Sequence, residues 1–446
     1  MIPWLLNLGW LLVLVVASPW LAWRSLVRRK RFGDWRQKLF GRIAPRTSAT
    51  PALWFHAVSV GEVLQLPRLI VELGRTWGEF EVIISTTTAT GHDLARQRFP
   101  DARVVYWPLD FSWAVETALQ RLRPAGVVLV ELELWPNFLR AAERRGVPVL
   151  LVNGRITARS HRGYRRVRPL VASMLRRVNR LIVQSHEYAD RFIDLGAPPD
   201  RLHVCGSLKY DGVETDRDNP RTQGFRQLLG LTEGGPVLVA GSTHDPEERL
   251  VAEAWRHCRS IVPGLRLVLA PRHAERFDEV ARLLSDELGM SVLRRSGLQS
   301  GAALPAEPDR IILLDSLGEL GACWGLADVA YVGGSLSPRG GQSMIEPAAF
   351  GAALLFGPNT WNFSEFVDLL RRDQAARIVD SGEELVTALT ELLTDSLSAA
   401  RMGRRARELV RECQGSTAET ARLLAACLQG TPVVHASPPF VGQTAG

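Results

Sequence analysis

From Leu53 onward the chain alternates strand-like apolar runs with helix-length amphipathic stretches, and no other feature narrows its possible folds as far. The runs Leu53–Val58, Glu81–Ser85, Ala102–Tyr106, Val127–Val130 and Val149–Val152 are each separated by room for one helix. Continuously apolar strands belong in a parallel sheet covered on both faces by helices. The rhythm continues through Arg180–Gln184 and Leu202–Cys205 and breaks over 211–235, where Asp, Asn, Gly and Pro gather. It restarts at Val237–Ala240, runs through Leu265–Ala270, Ser291–Leu293, Ile311–Leu314, Val329–Val332 and Ala353–Phe356, and closes on two helices, Leu397–Cys413 and Ser416–Leu428. A chain of 446 residues has room for two such domains. The sequence therefore predicts an α/β protein of two Rossmann-like lobes, residues 24–210 and 236–429, with a linker at 211–235 and a disordered tail at 430–446.

Residues 1–23 carry no charge and are long enough for a transmembrane helix, which needs about 20 apolar residues. Trp4, Trp20 and Trp23 stand near its ends, where indole rings favour the membrane interface. The basic residues Arg24, Arg28, Arg29, Lys30 and Arg31 follow the run instead of preceding it. No small-residue cleavage site closes it, which argues for an uncleaved anchor over a secretory signal. The positive-inside rule then puts both lobes in the cytoplasm, at an anionic membrane surface that also suits the net charge of +7. Five scattered cysteines without a CxxC pair fit a reducing compartment and exclude a disulfide scaffold.

In folds of this class ligands bind beyond the carboxyl ends of the strands, so the residues there are the candidates. The first strand runs into Ser59-Val60-Gly61-Glu62. Glu62, at a helix start, is either a capping acid favoured by the helix dipole or a catalytic base, and spacing leaves both open. Thr88, in the hydroxyl run before the next helix, suits either a cap or a contact to an anion. Glu131 and Glu133 continue a buried strand, a costly place for an acid unless it is paired or open to a cleft. Asn153 and Arg155 follow the next strand.

The second lobe carries Ser242 and Thr243 after its first strand, Pro271, Arg272 and His273 after its second, and Gly333, Gly334 and Ser335 further on. Gly340-Gly341-Gln342-Ser343 then opens a helix bearing Glu346, placed to accept bonds from ribose hydroxyls. Glycines let a backbone approach a phosphate closely, and a helix N-terminus supplies free N–H groups. A Walker lysine, a GxSxG elbow, HExxH and an Asp-x-Asp pair are all missing, so neither metal nor cofactor is expected.

These residues resemble the 3-deoxy-D-manno-octulosonic acid (Kdo) transferases of lipopolysaccharide synthesis. The resemblance is carried by His56-Ala57-Val58-Ser59-Val60-Gly61-Glu62, Thr86 to Gly91, Glu131 to Asn137, Asn153-Gly154-Arg155 and Gly206-Ser207-Leu208-Lys209-Tyr210-Asp211. It continues through Gly241-Ser242-Thr243, Pro271-Arg272-His273, Gly333-Gly334-Ser335 and Glu346-Pro347 to about Leu370. It implies a GT-B fold, an inner-membrane anchor and inverting transfer of Kdo from CMP-Kdo to the lipid A precursor, lipid IVA. Glu62 is then the general base. Ser242, Thr243, Pro271, Arg272, His273, Gly333, Gly334, Ser335 and Glu346 hold the donor, and Ser59, Gly61, Thr88, Glu131, Glu133, Asn153, Arg155 and Lys209 face the acceptor. Where the family has His-Asn, this chain has Gln342-Ser343. The implied partners are CMP-Kdo, the lipid precursor and an anionic membrane surface, with no nucleic acid. The alternatives are another membrane-surface enzyme of this fold, a nucleotide-sugar epimerase, and a silent sugar-nucleotide scaffold.

Overall fold

The computed structural model describes residues 33–231, 234–298 and 309–430, together with Trp4, residues 6–12 and residues 15–16. Two compact units result: one from the chain up to Gly212 and again from Gln414, the other from Val213–Cys413.

The first unit is built on a seven-stranded sheet ordered β3-β2-β1-β4-β5-β6-β7. Its strands are β1 (Ala52–His56), β2 (Glu81–Thr86), β3 (Arg103–Tyr106), β4 (Gly126–Val130), β5 (Val149–Gly154), β6 (Arg180–Val183) and β7 (Leu202–Val204). Every pairing is parallel, with β1 in register between Glu81–Ser85 on one side and Gly126–Leu129 on the other. All five residues of β1 are buried, which explains why its sequence reads as an unbroken apolar run. Alternate residues go to opposite faces: Trp54 packs with Trp107 and Phe138 on one, Leu53 and Phe55 with Leu66 and Leu69 on the other.

The second unit repeats the plan with order β10-β11-β9-β8-β12-β13-β14, all parallel. Its strands are β8 (Val237–Thr243), β9 (Arg266–Pro271), β10 (Ser291–Arg294), β11 (Arg310–Leu313), β12 (Val329–Val332), β13 (Ala353–Phe356) and β14 (Ala376–Ile378). In each sheet the strand order reverses beside the strand that comes first in sequence. The reversal opens a crevice between β1 and β4, and another between β8 and β12, at the carboxyl ends.

Three elements depart from the sequence reading. The last helix, Ser416–Leu428, was expected in the second lobe but belongs to the first unit, where Ala421, Leu423 and Leu424 join the cluster of Leu53 and Phe55. The Asp211 carboxylate holds it there, accepting from the N–H groups of Gly415 (2.6 Å) and Thr417. The linker, expected to hold a helical turn or two at Phe225–Leu229, carries a longer and earlier helix: Asn219 caps Pro220–Leu228, accepting from Thr222 N–H at 2.9 Å, and Phe225 is buried. Strand β14, only three half-buried residues, has too little apolar pattern to be seen in sequence.

The predicted membrane span, 1–23, lies largely outside the described residues, as does all but the first residue of the predicted tail, 430–446. Among the described residues no helix is long and apolar enough to cross a membrane.

Candidate active site

At the mouth of β1, Ser59 caps the short helix Val60–Val63 and Glu62 closes a capping box. The Glu62 carboxylate accepts from Val58 N–H at 2.7 Å, Ser59 N–H at 3.2 Å and the Ser59 hydroxyl at 2.7 Å. The first of the two open roles for Glu62 is therefore realised, and it does not exclude the second. A carboxylate has about four lone-pair sites, so three bonds leave one direction open. Burial raises the Glu62 pKa, Glu131 adds to the rise, and the Ser59 and Val58 bonds oppose it. The result is a positioned carboxylate more basic than an ordinary glutamate. A Cβ on Gly61 would meet nothing nearer than Ser59 Oγ at 3.9 Å, and Thr88 is the N-cap of the helix Ala89–Arg98, its hydroxyl also donating to Val58 O at 3.3 Å.

At the mouth of β4, Glu131 adopts a left-handed backbone (φ 61°) and stands 3.8 Å from Lys209 Nζ and 3.9 Å from Arg155 Nε. Burial lowers the Lys209 pKa against the pull of Glu131. Glu133 accepts from the Trp135 indole N–H at 2.9 Å. Burial, then the like charges of Glu62 and Glu131, push its pKa up to about 7, against that indole bond. Glu133 lies 3.8 Å from His56 Nε2, but the two are not an ion pair. His56 is fully buried, and desolvation drives its pKa down to about 3. Its ring stacks on Trp107 with centroids 3.9 Å apart. Its Nδ1 lies 3.1 Å from Ser85 O, which assigns the proton to Nδ1 and leaves a lone pair on Nε2 facing Glu133.

Asn153 sits at the end of β5 with φ 55°, and its amide is engaged internally. It donates to Gln65 Oε1 at 2.8 Å and accepts from Leu208 N–H at 3.2 Å, clipping the loop that presents Lys209. The side chain expected to touch the acceptor thus has its amide engaged within the fold.

The second unit gathers opposite charge. His244 follows Ser242 (φ 57°) and Thr243 at the end of β8, is 3% exposed, and its Nε2 has no hydrogen-bond partner. Its pKa is pushed down to about 4 by burial and then by Arg339, His273, Arg276 and Arg272. A neutral imidazole ringed by cations is what a pocket for an anion looks like from inside. Arg272 is exposed after Pro271, with its Nε donating to Gln342 Oε1 at 3.2 Å. The departure Gln342 is thus a direct neighbour of Arg272. The His273 ring meets His244 edge-on at 5.2 Å, and Arg276 is held by buried Glu248 at 2.6 Å. Glu346 lies exposed in the first turn of Ile345–Ala349, with the Trp324 indole donating to it.

One expectation fails here. The N–H groups around Gly333, Gly334 and Ser335 were expected to meet a phosphate. They already hold an anion, the buried carboxylate of Glu247. It accepts from Gly334 N–H (2.7 Å), Ser335 N–H (2.9 Å), Leu336 N–H (2.9 Å), His244 N–H (2.9 Å) and the Tyr331 hydroxyl (3.1 Å). The Ser335 hydroxyl is also engaged, donating to Val332 O and accepting from Gly357 N–H. A Cβ on Gly333 would stand 2.5 Å from Ser242 O, so glycine here serves the close approach of two loops. The cationic groups nearest this loop are the side chains of Arg272, Arg276 and Arg339, which all lower the His244 pKa. Glu247, His244 and Arg339 were assigned no role from the sequence. The available signal was Glu247 three residues after His244, the spacing of a capping acid. Among the described residues no cluster of His, Cys, Asp and Glu is arranged to hold a metal ion.

Residues 29–212 match the protein family described as 3-deoxy-D-manno-octulosonic-acid transferase. The chain is 32% identical over 374 residues to the 3-deoxy-D-manno-octulosonic acid transferase of Haemophilus influenzae, covering 83% of this chain and 86% of that one. It is also 32% identical over 418 residues to the protein of the same name from Bordetella pertussis, covering 90% and 94%. Among solved structures, a UDP-GlcNAc 2-epimerase from Neisseria meningitidis has a TM-score of 0.55 at 12% identity, over 81% of this chain and 99% of that one. A likeness at that identity extends to the fold and not to the chemistry.

Proposed function

The chain belongs to the 3-deoxy-D-manno-octulosonic acid transferases, and from that premise we propose that it transfers Kdo from CMP-Kdo to a hydroxyl of lipid IVA, with inversion at the anomeric carbon. The observation that carries the mechanism is Glu62, a half-buried carboxylate of raised pKa fixed at the mouth of β1. Its carboxylate takes the proton of the acceptor hydroxyl as that oxygen bonds to the anomeric carbon. The bond from that carbon to the CMP phosphate breaks, and the electron pair leaves on the phosphate. Arg272, with Arg276 and Arg339 beside His244, supplies the positive field that stabilises this charge. Lys209 and Arg155, paired with Glu131, suit the phosphates of the lipid acceptor, and Ser59, Gly61, Thr88 and Glu133 border its hydroxyl. Ser242, Thr243, Pro271 and His273 line the nucleotide side, and Glu346 accepts from the ribose. The enzyme works at the cytoplasmic face of the inner membrane, attached through its N-terminal segment and the basic run Arg24–Arg31.

The test is transfer by the purified chain from CMP-Kdo to tetra-acylated lipid A precursor, read as CMP release and as mass gain of the lipid. Acceptor-dependent release of CMP is expected. A chain that binds CMP but leaves the lipid unmodified overturns the reading.

A further inference from the structure

The described residues ahead of Gly33 are helical, and they are not a free apolar rod. Asn7 is the only polar side chain among them, and it is 2% exposed. Its amide donates to the Ser112 hydroxyl at 2.8 Å and accepts from Ser112 N–H at 3.0 Å and the Asn137 amide at 3.3 Å. One turn on, the Trp10 ring lies 6.0 Å from that of Trp135, and its indole N–H donates to the buried Asp110 carboxylate. Asp110 also accepts from the N–H groups of Asn137 and Phe138, at the start of the helix Pro136–Arg144. A buried amide needs such partners, so these contacts fix one side of the helix against the first unit.

The other side is bare. Trp4, Leu8, Leu12 and Val16 recur at helical spacing and are 74%, 64%, 65% and 73% exposed. The surface continues into the body of the unit. Trp113, next to Ser112, is exposed and donates to Leu39 O at 2.9 Å, which ties it to the helix Trp35–Phe40. Trp35 and Phe40 on that helix are exposed too, and the Arg42 guanidinium lies over the Phe40 ring at 5.6 Å. Aromatic rings beside arginines on one surface match the boundary between acyl chains and headgroups.

Chain length decides the topology. Asn7 is held on the first unit, and so is Gly33, which packs against the Tyr106 ring. A segment that leaves a body on one side of a bilayer and returns to it on the same side crosses twice or not at all. Two crossings need about 40 residues. Only about 25 residues separate Asn7 from Gly33.

We infer that Asn7 and Trp10 latch the N-terminal helix to the first unit, and that its open face, with Trp113, Trp35 and Phe40, rests in one leaflet of an anionic bilayer. The chain then attaches to the membrane without crossing it. The inference rests on the proposed action at a membrane and replaces the predicted spanning anchor with a one-sided attachment. The latch also touches the candidate site: Trp135, the neighbour of Trp10, donates to Glu133. Attachment and the acceptor-side loop are thereby held by the same residues.

The experiment places a cysteine at the far N-terminus. The full chain carrying Ile2→Cys is made in Gram-negative cells, and spheroplasts are treated with a membrane-impermeant maleimide, with the native chain as blank. No labelling above the blank is expected until the membrane is opened, when the new thiol reacts. Labelling of intact spheroplasts overturns the inference and leaves the membrane reading standing. Recovery of the chain in the soluble fraction removes both. A second variant, Asn7→Leu, makes the segment more apolar, which a spanning helix would tolerate, but deletes all three latch bonds. It is expected to stay in the membrane fraction while KM for the lipid acceptor rises roughly fivefold or more, with CMP affinity unchanged. A wild-type KM overturns the latch.

Discussion

The two units share one topology and carry opposite charge at their mouths. Between β1 and β4 the strand ends deliver Glu62, Glu131 and Glu133, and two of these have raised pKa values. Between β8 and β12 they deliver His244 with Arg272, Arg276 and Arg339 around it. The scaffold fixes where ligands arrive, and a few residues past each strand fix what arrives. An acidic mouth offers a place to leave a proton. A cationic one offers a place for a leaving phosphate.

That division predicts variants whose effects do not cross from one unit to the other. The largest effect is expected from Glu62→Gln, which keeps the cap's shape and removes the base. Turnover should fall by about 10²–10⁴-fold, while CMP titrated by calorimetry binds as to wild type. Comparable turnover would take Glu62 out of the chemistry. Next comes Glu247→Ala, which leaves four N–H groups and the Tyr331 hydroxyl without their acceptor. A loss on the order of 4 kcal/mol is expected in urea unfolding of the second unit, and CMP binding should fail with it. Glu247→Gln, which sets an amide NH₂ against donors, should rescue little. Arg272→Ala removes one charged contact to the leaving group, worth about 1.5–3 kcal/mol. CMP affinity should drop by about 10- to 100-fold and its salt dependence should flatten.

The smallest effect sharpens the acidic side. Burial raises the Glu133 pKa to about 7, so the folded chain binds more protons there than the unfolded one. Its contribution to stability is full below the unfolded carboxylate value and is lost as pH rises through about 7. Partial exposure discounts the amount to about 1–2 kcal/mol. Glu133→Gln should remove that slope from urea melts taken across roughly pH 5 to pH 8. A slope that persists assigns the titration to another group.

Most of the frame was legible because buried parallel strands write themselves as apolar runs and the residues just past them are polar by necessity. Glu62, Glu131, Arg272 and Glu346 were picked out as candidates that way. What escaped depended on partners distant in sequence. Glu247 was given no role from the sequence, and only the loop 87–89 residues further on shows that it fills an anion nest. Asn153 was picked out for the acceptor, and the sequence could not show that its amide answers to Gln65 and Leu208. The N-terminal run reads as a membrane span because hydropathy weighs one amide lightly, and Asn7, buried on one side of the helix, could not be placed from the sequence.

The helix Ser416–Leu428 carries a consequence in time. Its residues Ala421 and Leu424 cover Leu53 and Phe55, which leave the ribosome hundreds of residues earlier. The second unit, Val213–Cys413, is continuous in sequence and emerges whole before that helix does. Domains fold as units while synthesis proceeds from the N-terminus. The half of this protein that is made first is therefore the half that matures last, with part of one face of its sheet uncovered until the final helix arrives. A chain released after Cys413 should hold a protease-resistant second unit and a protease-sensitive first one.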